Sequence, residues 1–126
     1  MRAVWLSLCL CYACSVTAAV DLEKTMKEMA FEYKQAYATT DGSSMTPHLE
    51  RLIALTEQAI QGNFTEDKAE SFKHGLQQVL TQLQQAKTEA QHNNIEAAKS
   101  HLREVDTLRK DYHKQRKVSF WQLLFG

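Results

Sequence analysis

The sequence predicts an all-α protein, an antiparallel up-down four-helix bundle. Three observations carry that expectation. Ala, Leu, Gln, Glu and Lys dominate, Val and Ile are scarce, and 126 residues hold one proline and four glycines, a balance that favours helix over sheet. Apolar residues recur every three or four positions in four separate runs, the period of a helix with one buried face. The connectors are short, and four helices so joined most simply pack up and down.

The first run begins at Asp21, with Leu22, Met26, Met29, Tyr33 and Tyr37 as its stripe, and stops at "TTDGSSMTP", where Asp41-Gly42 is a turn pair. Thr46-Pro47 is expected to open the second helix, threonine as N-cap and proline at the first helical position. Leu49, Leu52, Ile53, Thr56, Ala59 and Ile60 form its face, and Gly62 is a natural stop. Asp67 and Glu70 have the spacing of a capping pair for the third helix, whose stripe is Phe72, Leu76, Val79, Leu83, Ala86 and Ala90. Gly75 interrupts it at a cost of about 1 kcal/mol relative to alanine, as a close neighbour or bulky ligand would require. Asn94 is expected to cap the fourth helix, which continues through Ile95, Ala98, Leu102, Val105 and Tyr112. The link between the third and fourth helices is so short that these two must be antiparallel neighbours. Asn63-Phe64-Thr65 matches a glycosylation sequon but reads as an ordinary loop.

Residues 1–18 differ from the rest. Arg2 is followed by no charge until Asp21, and the segment ends with Val16 and Ala18 at the −3 and −1 positions of a cleavage before Ala19. This is the pattern of a secretory signal. Cys9, Cys11 and Cys14 all lie in it, so the processed chain is expected to have no disulfide, thiolate metal site or thioether-linked cofactor. Residues 118–126 hold Val118, Phe120, Trp121, Leu123, Leu124 and Phe125, too few to span a bilayer. The main expectation is that this tail folds over the bundle end and buries its own apolar surface. The sharper one is weak contact with a membrane surface, with Arg116 and Lys117 beside an aromatic anchor.

Fifteen basic and fifteen acidic residues balance, which gives no overall reason to expect nucleic acid. A di-iron bundle needs two inward Glu-x-x-His pairs, and only Glu89 with His92 has that spacing. No two histidines have the separation of a zinc pair, and no serine is set up as a nucleophile, so an enzyme is not expected. What remains is His113. Leu102, Arg109 and His113 fall within roughly 20° of one helical direction, which turns His113 toward the bundle interior near its open end. The first and fourth helices run oppositely, so Met26 reaches a similar height across the core. A thioether and a neutral imidazole facing each other form a known axial pair for haem iron. On spacing alone a satisfied histidine and a core methionine, in a cofactor-free, exported interaction bundle, are the more ordinary reading.

Three motifs narrow this. "VDLEKTM", "FKHG" (Phe72 to Gly75) and "TLRKDYHKQRK", in that order and with matching helix spacing, resemble the cytochrome b562 family of soluble periplasmic haem proteins, whose fold is an up-down bundle. The likeness covers roughly residues 20–117. It implies one noncovalent haem b per chain, with Met26 and His113 as axial ligands, Phe72 packed on the porphyrin, and single-electron transfer with unspecified redox partner proteins by a periplasmic monomer. Arg109 and Tyr112 occupy the places where a covalent attachment motif would carry cysteines. The Arg109 carbonyl is the expected acceptor for the free imidazole nitrogen of His113. Lys117 or Arg116 is the expected partner of a haem propionate, and His74 is expected to face outward. Two departures stand out. The connector between the second and third helices is shorter than the family's, which we place at the end away from the haem. Residues 118–126 run past the family's usual terminus.

Overall fold

A computed structural model describes the backbone of residues 22–62 and 69–125, and the side chains of residues 23–62 and 70–114. The segment expected to be a signal and its expected cleavage point, the Asn63 sequon, Asp67 of the capping pair, and the side chains of Arg116 and Lys117 lie outside these residues. Four helices follow in order: α1 Leu22–Ala38, α2 Gly42–Ile60, α3 Ala69–Gln91 and α4 Ile95–Phe125. Each packs against the next, and α1 and α4 touch only lightly. This is the expected four-helix bundle, and there is no strand among the described residues.

One continuous core runs through all four helices. It comprises Ala36 from α1, Met45, Leu49 and Leu52 from α2, Val79, Leu83, Ala86 and Ala90 from α3, and Ala98, Leu102 and Val105 from α4. Met29, Tyr33, Ile53, Ile95 and Leu108 pack at its margin. The α1 stripe is turned from its expected direction. Thr25 and Ala36 are buried, while Met26 and Tyr33 are half-buried and Tyr37 is exposed. The reason is lateral: α1 beds on α2, so the side of α1 toward α4 stays open.

α2 starts earlier than Thr46-Pro47. Asp41 is the N-cap, in extended backbone, and its carboxylate accepts from the Ser44 N–H at 2.8 Å. The Ser43 and Ser44 hydroxyls also donate to it, at 2.8 and 2.9 Å. These donors hold the Asp41 carboxyl below the usual carboxylate range, the Ser43 hydroxyl foremost. Thr46 is inside the helix, donating its hydroxyl to the Gly42 carbonyl at 2.7 Å. Pro47 is tolerated because only one backbone bond is lost, near the helix start.

Asn93 has a positive φ of 59°, a left-handed conformation that asparagine accepts more readily than most residues. Its side-chain oxygen accepts from the Gly42 N–H at 3.0 Å, tying the α3–α4 turn to the start of α2. Asn94 stands just before α4, and its carbonyl accepts from the Ala98 N–H at 3.0 Å. Its side-chain amide does not serve as the expected cap but donates back to Glu89 at 2.9 Å.

Two expectations about chain ends change. In this topology the α2–α3 connector lies at the same end as the start of α1 and the end of α4, the end that carries Met26 and His113, not the opposite one. The tail does not fold back over the bundle: α4 continues as helix to Phe125.

Candidate functional site

α1 and α4 are joined by a small group of side chains that fixes their register. The Tyr33 hydroxyl donates to the Leu102 carbonyl at 2.9 Å. The Lys99 ammonium lies 5.4 Å from the centre of the Tyr37 ring, and Arg103 donates to the Tyr37 hydroxyl at 3.3 Å. Tyr33 and Tyr37 stack with centroids 6.1 Å apart. Both tyrosines thus mark the face of α1 that looks toward α4. Met26 is seven residues before Tyr33 and eleven before Tyr37, which at about 100° per residue sets it between them on that same face.

The same register gives height. Seven residues on from Leu102, in the opposite direction, lies Arg109, so Arg109 is level with Met26. His113 is one turn further, about 6 Å nearer the open end. Around α4, His113 falls between Leu102, which is fully buried, and the Asp106 and Lys99 positions, which face the tyrosines of α1. Met26 is half-buried and His113 exposed. Met26 and His113 therefore lie on the facing sides of two lightly touching helices, within one turn in height.

Phe72 lies at the same end on α3. It is half-buried, and its ring meets that of Tyr112 edge-on, with centroids 6.3 Å apart and planes 76° apart. Gly75 explains how the rings fit: the Tyr112 ring lies where a Cβ on residue 75 would be. The close neighbour expected at Gly75 is thus Tyr112, whose stripe position gave no hint of that contact. The obstacle is a side chain that can swing away, so we expect Gly75→Ala to change stability by less than about 1 kcal/mol, helix propensity offsetting the displaced ring. Combined with Tyr112→Ala, the same change should become stabilising. Additive effects across that double-mutant cycle, measured by urea unfolding, would reject the contact.

Arg109 is exposed and held along its own helix, its guanidinium donating to Asp106 at 2.9 and 3.1 Å. Lys110 meets the other Asp106 oxygen at 2.9 Å. Lys110 is the main cause of a lowered Asp106 pKa; burial opposes it and Arg109 adds to it. His74 is exposed beside Gln78, as expected. The remaining described histidines are engaged elsewhere: His48 with Glu32 at 2.7 Å, His101 with Gln82 at 2.8 Å and His92 with the Thr88 carbonyl at 2.8 Å. Among the described residues no group of three or more His, Cys, Asp or Glu could hold a metal ion. No helix among them is long and apolar enough to cross a membrane.

Burial, then the nearby Asp106 charge, raises the Tyr33 pKa above its ordinary value. The neutral phenol is the form that donates to Leu102, so its contribution to stability is complete below the ordinary tyrosine pKa of about 10 and is lost as pH rises through the raised value. Thermal melts should therefore show an alkaline loss of stability that is smaller in Tyr33→Phe. Identical alkaline profiles would remove Tyr33 as its source.

The four-helix bundle is an architecture that haem proteins use, and Met26 and His113 lie toward one end of it, on α1 and α4. Comparison with known families agrees: the model described as Cytochrome b562 matches residues 21–117. The chain belongs to the cytochrome b562 family, and so to a family of b-type cytochromes. Comparison with curated proteins finds no match. The family match ends immediately before Val118, where the apolar tail begins.

Proposed function

We propose that this protein is an exported, periplasmic carrier of single electrons, holding one haem b noncovalently between α1 and α4. Met26 and His113 are the proposed axial ligands. The observation that carries the proposal is their placement: they occupy the facing sides of two lightly touching helices, within one turn in height. The residues fit the group chemically. A thioether and a neutral imidazole suit iron in both oxidation states, and no cysteine stands at Arg109 or Tyr112 to make a covalent link.

When bound, the haem supplies a ferric–ferrous couple that accepts and releases one electron. The protein's own residues do the rest. Met26 and His113 would hold the iron through a thioether sulfur and an imidazole nitrogen. The core through Leu52, Val79, Leu102 and Val105 fixes the separation of the helices that carry them. With haem bound, the free ring nitrogen of His113 would donate to the Arg109 carbonyl one turn earlier and so orient the imidazole. Phe72, on α3, would pack on the porphyrin, and Arg116 or Lys117 would pair with a propionate. The segment 1–18 supports export, with processing before Ala19.

Titration of the purified apoprotein with haemin tests the reading. One equivalent should give a sharp Soret band with a low-spin spectrum that shifts on reduction, and voltammetry should show a reversible one-electron wave. An apoprotein that takes up no haem would overturn it. N-terminal sequencing of the periplasmic form should begin at Ala19; a retained Met1 would reject the export reading.

A further inference from the structure

We propose that the end of α4 is a membrane anchor that enters one leaflet of an anionic bilayer tip-first and holds the cytochrome at the membrane surface. Tyr112 packs over Gly75; six residues back from Gly75 is Ala69, the first residue of α3, and six on from Tyr112 is Val118. The register with α1 likewise brings Leu22, four residues before Met26, level with His113. From Val118 onward α4 therefore extends past the first turns of both α1 and α3, still as helix, to Phe125. Eight residues at about 1.5 Å each make a projection of about 12 Å, within the half-thickness of a hydrocarbon core of about 30 Å.

The sequence of the projection selects its partner. Val118, Phe120, Trp121, Leu123, Leu124 and Phe125 are apolar, leaving Ser119 and Gln122. On a helical wheel the apolar positions cover an arc of roughly 220°. The flank of a bundle, or a second copy meeting it side by side, covers a stripe of only about 100°. Lipid surrounds a helix from every side. Just behind the apolar tip come Lys110, Lys114, Arg116 and Lys117, placed within about three turns of Val118 and so at headgroup depth when the tip is buried. Lys110 and Lys114 are exposed. An apolar tip followed by a basic collar matches the two attractions that hold peripheral proteins on anionic lipid. Eight helical residues reach into one leaflet and are too few to cross the core.

The test uses the processed protein, residues 19–126, with and without haem, so that its outcome is separate from the haem proposal. Trp5 lies in the signal segment, which leaves Trp121 as the single tryptophan of the processed chain. With phosphatidylglycerol–phosphatidylethanolamine vesicles, the protein should co-sediment and the Trp121 emission should shift to the blue. Deleting residues 118–126, or the milder Trp121→Ser with Leu124→Ser, should lower the bound fraction roughly tenfold. The haem spectrum should be unchanged in both variants. Raising salt, or using phosphatidylcholine alone, should weaken binding by screening or removing the charge. Sedimentation unaffected by the deletion overturns the proposal. So does a Trp121 emission that vesicles leave unmoved, or a tail-dependent dimer that ignores vesicles.

Discussion

His113→Ala and Met26→Ala each leave the haem-loaded protein without its low-spin spectrum, while the bundle itself stays folded. The two halves of this expectation have separate causes. The spectrum depends on two strong protein ligands acting together, and each substitution removes one. The fold depends on the continuous core, and neither residue belongs to it: Met26 is half-buried and His113 exposed. Loss of His113 should therefore change apoprotein stability by no more than about 0.5 kcal/mol, the usual range for a surface site. Loss of Met26 should cost somewhat more because part of its side chain is covered. Ligand binding adds stability as RT ln(1 + [L]/Kd), about 2.7 kcal/mol at one hundred times Kd, so the gain in melting temperature on adding haemin should shrink in both variants. Acid should mimic His113→Ala in the wild type, since a protonated imidazole cannot bind iron. Circular dichroism separates a misfolded variant from a folded one that has lost a ligand. A low-spin spectrum persisting unchanged in folded His113→Ala would reject the histidine, and the same result in Met26→Ala would reject the methionine.

What could be read in the sequence, and what could not, follows from which interactions are local. Helical periodicity is local, so the four helices and most of the core positions were legible, Leu49, Leu83, Ala86, Ala98 and Leu102 among them. The direction of α1 was not, because it depends on which neighbour the helix leans on. Leu22, Met26, Met29, Tyr33 and Tyr37 make a good stripe, yet the most buried positions are Thr25 and Ala36, on the side toward α2. That turn puts Met26 on the edge facing α4. The start of α2 was misplaced because Asp41, read as half of a turn pair, is the N-cap, five residues before Thr46. Asp41 prevails by gathering the Ser44 N–H and two serine hydroxyls. With the helix starting early, Met45 becomes a fully buried core residue that the Thr46 start had left out. Tyr112 stands on an apolar stripe in sequence, but its contacts with Gly75 and Phe72 depend on the antiparallel register of α3 and α4, which no single helix encodes. The resemblance supplied what periodicity could not: it singled out Phe72 and the Met26–His113 pair where spacing alone favoured a plain core.

Gly42→Ala should destabilise the protein by roughly 1–3 kcal/mol, against the trend of helix propensity. Propensity alone would favour alanine by about 1 kcal/mol in a helix. The packing opposes it. A Cβ at residue 42 would run into the Ala90 carbonyl oxygen, 3.0 Å from its carbon and 3.3 Å from the Asn93 Cα. All three are backbone atoms, so no side chain can swing aside and the α3–α4 turn itself must move. That turn is held by Asn93 at φ 59°, and the same residue accepts the Gly42 N–H at 3.0 Å. Moving it breaks this hydrogen bond between the α3–α4 turn and the start of α2. For a domain of this size each kcal/mol is worth roughly 4–8 °C of melting temperature. Ala90→Gly should not rescue Gly42→Ala, because it removes a side chain and leaves the obstructing carbonyl in place. Gly42 lies at the end of the bundle opposite Met26 and His113, so the surviving folded protein should keep the low-spin haem spectrum. A melting temperature equal to or above that of the wild type would mean that the turn yields freely and that this end does not fix the spacing of α2 and α3. A lost spectrum in a folded Gly42→Ala would mean that the two ends are coupled, and that the closed end helps to set the gap in which Met26 and His113 face each other.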